Sequence, residues 1–357
     1  MRSANTRLPL VDALKAIASQ LIVLHHLAFY GPMSDVAFPL APSAISWLSE
    51  YGRMAVQVFL VIGGFLGAMR LAPGGVLQVR QPVREVARRY LRLVMPYAVV
   101  LAIGMLVAAV VRQSLIHESV PGTPALPQVL AHLLLLHDVL GYEALSAGVW
   151  YVAIDFQLFV MMLGVLWLVR GLVASPGPAA VIGPALVLAL GAAALLHFNR
   201  DPSWDNLAIY FFGSYAFGAL AWWCGTRGRP LPWIAALCVL AAAALLLDFR
   251  MRILVAAIVA LALALVRVGR LGAGWSGSRL TGWLGRISYS VFLVHFPVCL
   301  LTNTLLARIA PDQPLLNAGG MLFAWLCSIG AGELFHRYVE SRAARVPLPA
   351  FLGPQPA

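Results

Sequence analysis

"DALKAIASQLIVLHHLAFYG", residues 12–31, decides how the chain is read. A bilayer core about 30 Å thick needs a helix of about 20 mostly apolar residues, and this run has that length. It nevertheless holds Asp12, Lys15, Ser19, Gln20, His25 and His26. Arg2 and Arg7 precede it, as in a signal peptide, but it continues into "FYGPMSD" without a small-residue cleavage site. It therefore reads as a retained first membrane span.

The rest of the chain extends that reading. Charged residues make up 11% and apolar residues 61% of 357 residues, with a mean hydropathy of +0.85. Soluble domains carry about 25% charge. Apolar windows fall near 9–30, 53–71, 92–112, 148–169, 178–197, 206–224, 232–248, 252–268, 285–307 and 317–338. The short alternating segments of a membrane barrel are missing. The expectation is an all-α polytopic membrane protein with about ten transmembrane helices. It forms a single domain over 1–345, with a short cytoplasmic tail at 346–357. The segment 126–140 is too short to span and reads as an interfacial or re-entrant helix.

The net charge is +11, and Lys15 is the only lysine. With the N-terminus inside, one side receives only Arg53, Arg112, Arg200, Arg250, Arg252 and Arg308, while the other eighteen arginines fall on the cytoplasmic side. That asymmetry predicts cytoplasmic termini and accounts for the charge through membrane lipids, without nucleic acid. Cys224, Cys238, Cys299 and Cys327 lie in apolar runs without CxxC spacing and read as packing residues. His117, His132 and His137 lack metal-ligand spacing, so no metal is expected.

Helical phase sorts the polar residues of the first span. At about 100° per residue from Lys15, Asp12 lies near +60°, Ser19 near +40° and His26 near +20°. His25 lies near −80° and Gln20 near +140°, off that stripe, by the same estimate. Lys15 and His26 share a face but stand roughly 16 Å apart along the axis. Ionisable groups in a span cost a few kcal/mol on insertion scales and mark function. Interhelical hydrogen bonding that only holds a bundle together is the plainer alternative.

Further candidates follow along the chain. Asp155 and Gln157 lie in the outer half of the fourth span, where a buried carboxylate would orient a histidine such as His26 or else pair with Arg53 or Arg112. Gly63 and Gly64 permit close backbone approach, first of all to another helix. Arg80, Arg84, Arg88 and Arg92 recur every four residues as a basic helical stripe. Such a stripe suits anionic lipid or a polyanionic cytoplasmic donor. His295 stands before Pro297 in the ninth span, where it would bind a carbonyl freed by the proline or serve the site. Ser288 and Tyr289 sit near the inner end of that span. Glu333, His336 and Glu340 at the inner end of the last span are expected to pair with arginines.

Together these segments resemble the acyltransferase-3 family of membrane O-acyltransferases. "DALKAIASQLIVLHH" is similar to the family's opening D-x-L-R-x(10)-H helix, and "AVQVFLVIGGF" to its V-D-x-F-F-x-x-S-G-F segment. "RRYLRLVMPY" resembles the arginine-rich R-x-x-R…P-Y segment and "WYVAIDFQLF" the W-S-L-x-V-E-x-Q-F-Y segment. "ISYSVFLVHFPV" and "HRYVES" resemble the last two helices. The likeness runs in order from about residue 8 to 341. Lys15 stands for the family arginine, Gln57 for an acid, Gly63 for serine and Asp155 for glutamate.

The resemblance implies an enzyme that moves a short acyl group, acetyl first among them, from cytoplasmic acyl-coenzyme A. The acceptor would be a hydroxyl of a lipid-linked or exported glycan. It implies His26 as base or transient acyl carrier, assisted by Asp155, with Lys15, Arg88, Arg89 and Arg92 holding the donor. Asp12, Trp150, Gln157, Tyr289 and His295 would have substrate or structural roles. The setting would be a bacterial cytoplasmic (inner) membrane, with polysaccharide-assembly proteins as possible partners. The alternative reading is a transporter or flippase of a glycan or lipid-linked intermediate, using the same polar path.

Overall fold

The structure, a computed structural model, describes residues 8–226, 228, 230–271, 277–343 and 345–346. The described residues are mainly helical, with no strand among them. The helices are α1 (Pro9–Phe29), α2 (Pro32–Ala37), α3 (Pro42–Tyr51), α4 (Ala55–Leu71), α5 (Pro82–Val111), α6 (Leu126–Leu133), α7 (Val149–Leu172), α8 (Pro176–Leu196), α9 (Ala208–Trp223), α10 (Pro230–Leu247), α11 (Met251–Arg267), α12 (Arg279–Ile309) and α13 (Pro314–Phe335). Among the described residues eight helical runs are long and apolar enough to cross a membrane: 9–29, 42–71, 82–111, 149–172, 176–200, 230–247, 279–309 and 314–343. The remaining two windows, 206–224 and 252–268, form α9 and α11, of 16 and 17 residues. These lie at or just below the lower limit of about 17 residues for a spanning helix. The protein is a polytopic, all-helical integral membrane protein.

Two compact units divide the chain. The first comprises Met1–Leu14, Val56–Val86 and Ile154–Gly282; the second comprises Lys15–Ala55, Ala87–Ala153 and Trp283–Ala357. Arg2, Arg7, Arg227 and Arg229 of the charge count, and residues 347–357 of the expected tail, lie outside the described residues.

In the first unit α9 is the central helix, packed by α8, α10 and α11 and buried along nearly its whole length. Its aromatic side chains Phe212, Tyr215, Phe217 and Trp223 fill the interior. A helix apolar on all sides belongs in such a place. Where α4 crosses α9, Gly64 lies on the carbonyl of Tyr215 and Gly218 on the carbonyl of Val61. With no Cβ on either side, backbone meets backbone. The indole N–H of Trp223 donates to the Ala72 carbonyl at 2.8 Å, and that of Trp222 to Pro73 at 3.1 Å. These bonds serve carbonyls left open where α4 ends.

In the second unit α12 is the core helix, and Val23 and Leu27 of α1 pack with its Ile287, Val291 and Cys299. Asn303 clamps the turn after α1: its Oδ1 accepts from Met33 N at 3.0 Å, and its Nδ2 donates to the carbonyls of Tyr30 and Cys299 at 3.2 and 3.0 Å. Gly31, at φ 102°, lies directly on the Asn303 amide, a position closed to any side chain.

Several expectations change. The segment 126–140 is not one helix: α6 ends at Leu133, and Leu135 takes φ 58°. The basic stripe on α5 begins at Arg84, because Arg80 precedes Pro82 and the helix start. Among the described residues the acids in the last turns of α13 and just after it pair without arginine. Glu333 accepts from Trp283 Nε1 at 2.6 Å, and Glu340 from Ser290 at 2.6 Å and from His336 at 3.0 Å. The helices α2 and α3 begin at Pro32 and Pro42, residues suited to the first turn of a helix. All four cysteines are free thiols.

Candidate active site

The two adjacent histidines of α1 face different neighbours. His25 Nδ1 bonds the Leu48 carbonyl of α3 at 3.0 Å, and a Cβ on Gly52 would stand 2.7 Å from the His25 Cβ. That residue is a tether between helices, in keeping with its phase off the polar stripe. His26 instead faces α12. Its Nδ1 lies 2.6 Å from Nε2 of His295, whose own Nδ1 lies 2.7 Å from the Phe292 carbonyl. His26 is 7% exposed and His295 0%. A histidine that looked isolated in the sequence is therefore the hydrogen-bond partner of His26.

Aromatic rings and one glycine build the surroundings. Tyr30 lies 5.3 Å from His26, centroid to centroid, and Phe296 packs on Tyr30. Phe292 packs between His295 and Tyr151, and Tyr151 meets Trp150 edge-on. Gly148, at φ 78° just before α7, has only a bare α-carbon there. A Cβ on it would meet the Phe292 ring at 2.8 Å and come within 3.6 Å of His26 Cε1. The start of α7 is thus brought beside the His26 ring.

A family model described as an acyltransferase domain, that of acyltransferase-3, matches residues 9–332. The chain belongs to the acyltransferase-3 family. It is a membrane acyltransferase, and the match runs through both units. No curated protein and no solved structure matches it.

The remaining candidates of this acyltransferase are placed as follows. In the second unit Lys15 is half-buried on α1, about three turns from His26. On the first half of the α5 segment Arg88 and Arg89 are partly buried and Arg92 is exposed. That segment is tied on both sides: Tyr90 Oη donates to Leu133 O at 2.8 Å, and Tyr289 Oη to Leu93 O at 3.0 Å. Tyr289 therefore helps to fix the arginine-bearing backbone. Gln20 accepts from Trp325 Nε1 at 2.9 Å, which joins α1 to α13. In the first unit Asp155 is buried, and a Cβ on Gly63 would lie 3.1 Å from its Oδ1. Gln57 there accepts from Ser214 at 2.7 Å. Asp12 and Gln157 belong to the same unit. Among the described residues no group of three or more His, Cys, Asp and Glu side chains is placed to hold a metal ion.

The end of α6 and the segment after it carry a second histidine pair. His132 takes Leu145 N on its Nε2 at 3.1 Å and stacks on His137 at 4.0 Å. Burial, and the nearby His132, push the His137 pKa down to about 3. Folding therefore favours its neutral form, whereas the unfolded chain protonates near the ordinary 6.5. This contribution is full above pH 6.5 and is lost as pH falls from 6.5 toward 3, with a slope of at most about 1.4 kcal/mol per pH unit. Melting temperatures in detergent should fall more steeply over that window for the wild type than for His137→Phe. Parallel curves would show that His137 contributes nothing to acid sensitivity.

Proposed function

We propose that the protein transfers a short acyl group, acetyl in the first instance, from cytoplasmic acyl-coenzyme A to a hydroxyl of an exported or cell-surface glycan. The observation that carries this reading is the buried His26 ring, held at Nδ1 by His295, in a chain of an acyltransferase family. An alcohol attacking a thioester needs a base and a stabilised oxyanion. His26 Nε2 takes the hydroxyl proton as the C–O bond forms. The tetrahedral intermediate then expels the thiolate, which takes that proton. In a two-step form, His26 carries the acyl group between donor and acceptor. Backbone N–H groups at the start of α7 serve the oxyanion, since helix-start N–H groups favour negative charge.

Arginine forks suit phosphates, so Arg88, Arg89 and Arg92 hold the coenzyme, and Lys15 adds a point charge without a fork. Trp150, at the start of α7, contacts the acceptor. This arrangement suits ten spans, cytoplasmic termini and a bacterial cytoplasmic membrane, with donor and acceptor starting on opposite sides. Polysaccharide-assembly proteins supply the acceptor.

Purified protein with labelled acetyl-coenzyme A should label a glycan acceptor. Mass spectrometry of the surface glycan should show acyl groups that disappear when the gene is removed. Unchanged acyl content with lost export would overturn the reading in favour of a transporter using the same polar path.

A further inference from the structure

Hydrogen-bond roles in the histidine pair follow from one fixed end. The Phe292 carbonyl only accepts, so the His295 Nδ1 atom 2.7 Å away carries the proton. In the neutral ring this leaves a lone pair on His295 Nε2, which can only accept. The 2.6 Å contact to His26 Nδ1 therefore requires a proton on His26 Nδ1. The lone pair of neutral His26 is left on Nε2. Ring geometry agrees: the planes are 10° apart, and the centroids, at 4.9 Å, stand farther apart than the bonded nitrogens. The rings meet edge to edge, with the lone pair aimed along the N–H bond. Asn303 and Gly31 fix the end of α1, and α12 supplies both His295 and Phe292, so the chain of bonds is anchored in backbone.

We propose that His295 is the positioning residue that sets the tautomer of His26 and turns its Nε2 toward the acceptor hydroxyl. This rests on the acyl-transfer reading with His26 as base. During transfer the hydroxyl proton moves to His26 Nε2, and His295 Nε2 stabilises the resulting imidazolium through the Nδ1–H bond. The proton leaves with the coenzyme thiol, and both rings return to neutral. A histidine suits this task in a membrane span. A neutral acceptor avoids the cost of a permanently buried carboxylate.

Two measurements test the proposal. Ring 15N spectra of histidine-labelled wild-type protein in lipid nanodiscs should show His26 protonated at Nδ1, with coupling across the bond to His295 Nε2. His295→Leu should lower kcat about 100-fold with KM about unchanged, because base catalysis contributes on that scale. His295→Gln, whose amide oxygen can accept from Nδ1–H, should recover at least about tenfold of that loss. A His26 proton on Nε2 in the wild type overturns the proposal, as does full kcat in His295→Leu or a Gln variant no better than Leu. If the wild type turns over no acyl donor at all, acyl transfer is the claim that fails, and the spectra still decide the tautomer.

Discussion

His26→Ala should lower acyl transfer about 10³-fold, within the range expected when a general base is removed. The substitution takes away Nε2 and leaves His295 Nε2 buried opposite a methyl group. An unsatisfied buried acceptor of that kind costs about 1–3 kcal/mol of stability. A melting temperature measured beside the rate therefore separates lost chemistry from lost fold. His25→Ala is the matched control. It breaks the 3.0 Å bond to Leu48, worth about 1 kcal/mol, yet leaves the His26–His295 pair in place. Most activity should remain. Equal losses in the two variants would undo the assignment of catalysis to one histidine, and undiminished transfer by His26→Ala would remove His26 from the mechanism.

The second large effect is on folding. At the crossing of α4 and α9 a Cβ on Gly64 would overlap the Tyr215 carbonyl, and one on Gly218 would overlap the Val61 carbonyl. Backbone on both sides cannot swing away as a side chain can, so the helices must separate. Overpacking usually costs 1–3 kcal/mol, and a forced helix separation belongs at the upper end or beyond, about 3 kcal/mol or more for either Gly→Ala. Once the helices are apart, the second alanine adds little. The double variant should therefore lose clearly less than the sum of the singles, since residues sharing one contact couple. Gly164→Ala on α7, where nothing lies within 4 Å, should be neutral or slightly stabilising. Thermal denaturation in detergent reads all four. Additive losses would mean that the two glycines act at separate contacts.

Much of this was legible in the residues alone. Apolar windows of bilayer length gave the helical membrane class, because lipid offers no partners for an unpaired backbone. Serial motifs of modest strength gave the family, since their order and spacing match along the chain. Helical phase separated His26 from His25, because 100° per residue is a property of the backbone and needs no tertiary information. Less legible were the short helices α2 and α3, which begin at prolines but carry too few apolar residues to stand out. The break at Leu134–Leu135 was hidden inside a run of leucines. Window ends also misjudged α5 and α12, which begin at Pro82 and Arg279, well before their apolar stretches. Helical hydrogen bonding continues into water where hydropathy does not.

What the sequence by itself determined is therefore the solvent, the helical class, the family and the face of α1 that carries His26. Each depends on local composition or on a fixed helical period. Only the tertiary structure decided what that face meets. His295 lies 269 residues from His26, and nothing in either segment names the other. The pairing exists because Val23 and Leu27 pack against α12 while Asn303 pins the turn after α1. Those contacts fix the rotation and depth of one helix against another, and side-chain packing at a distance sets both.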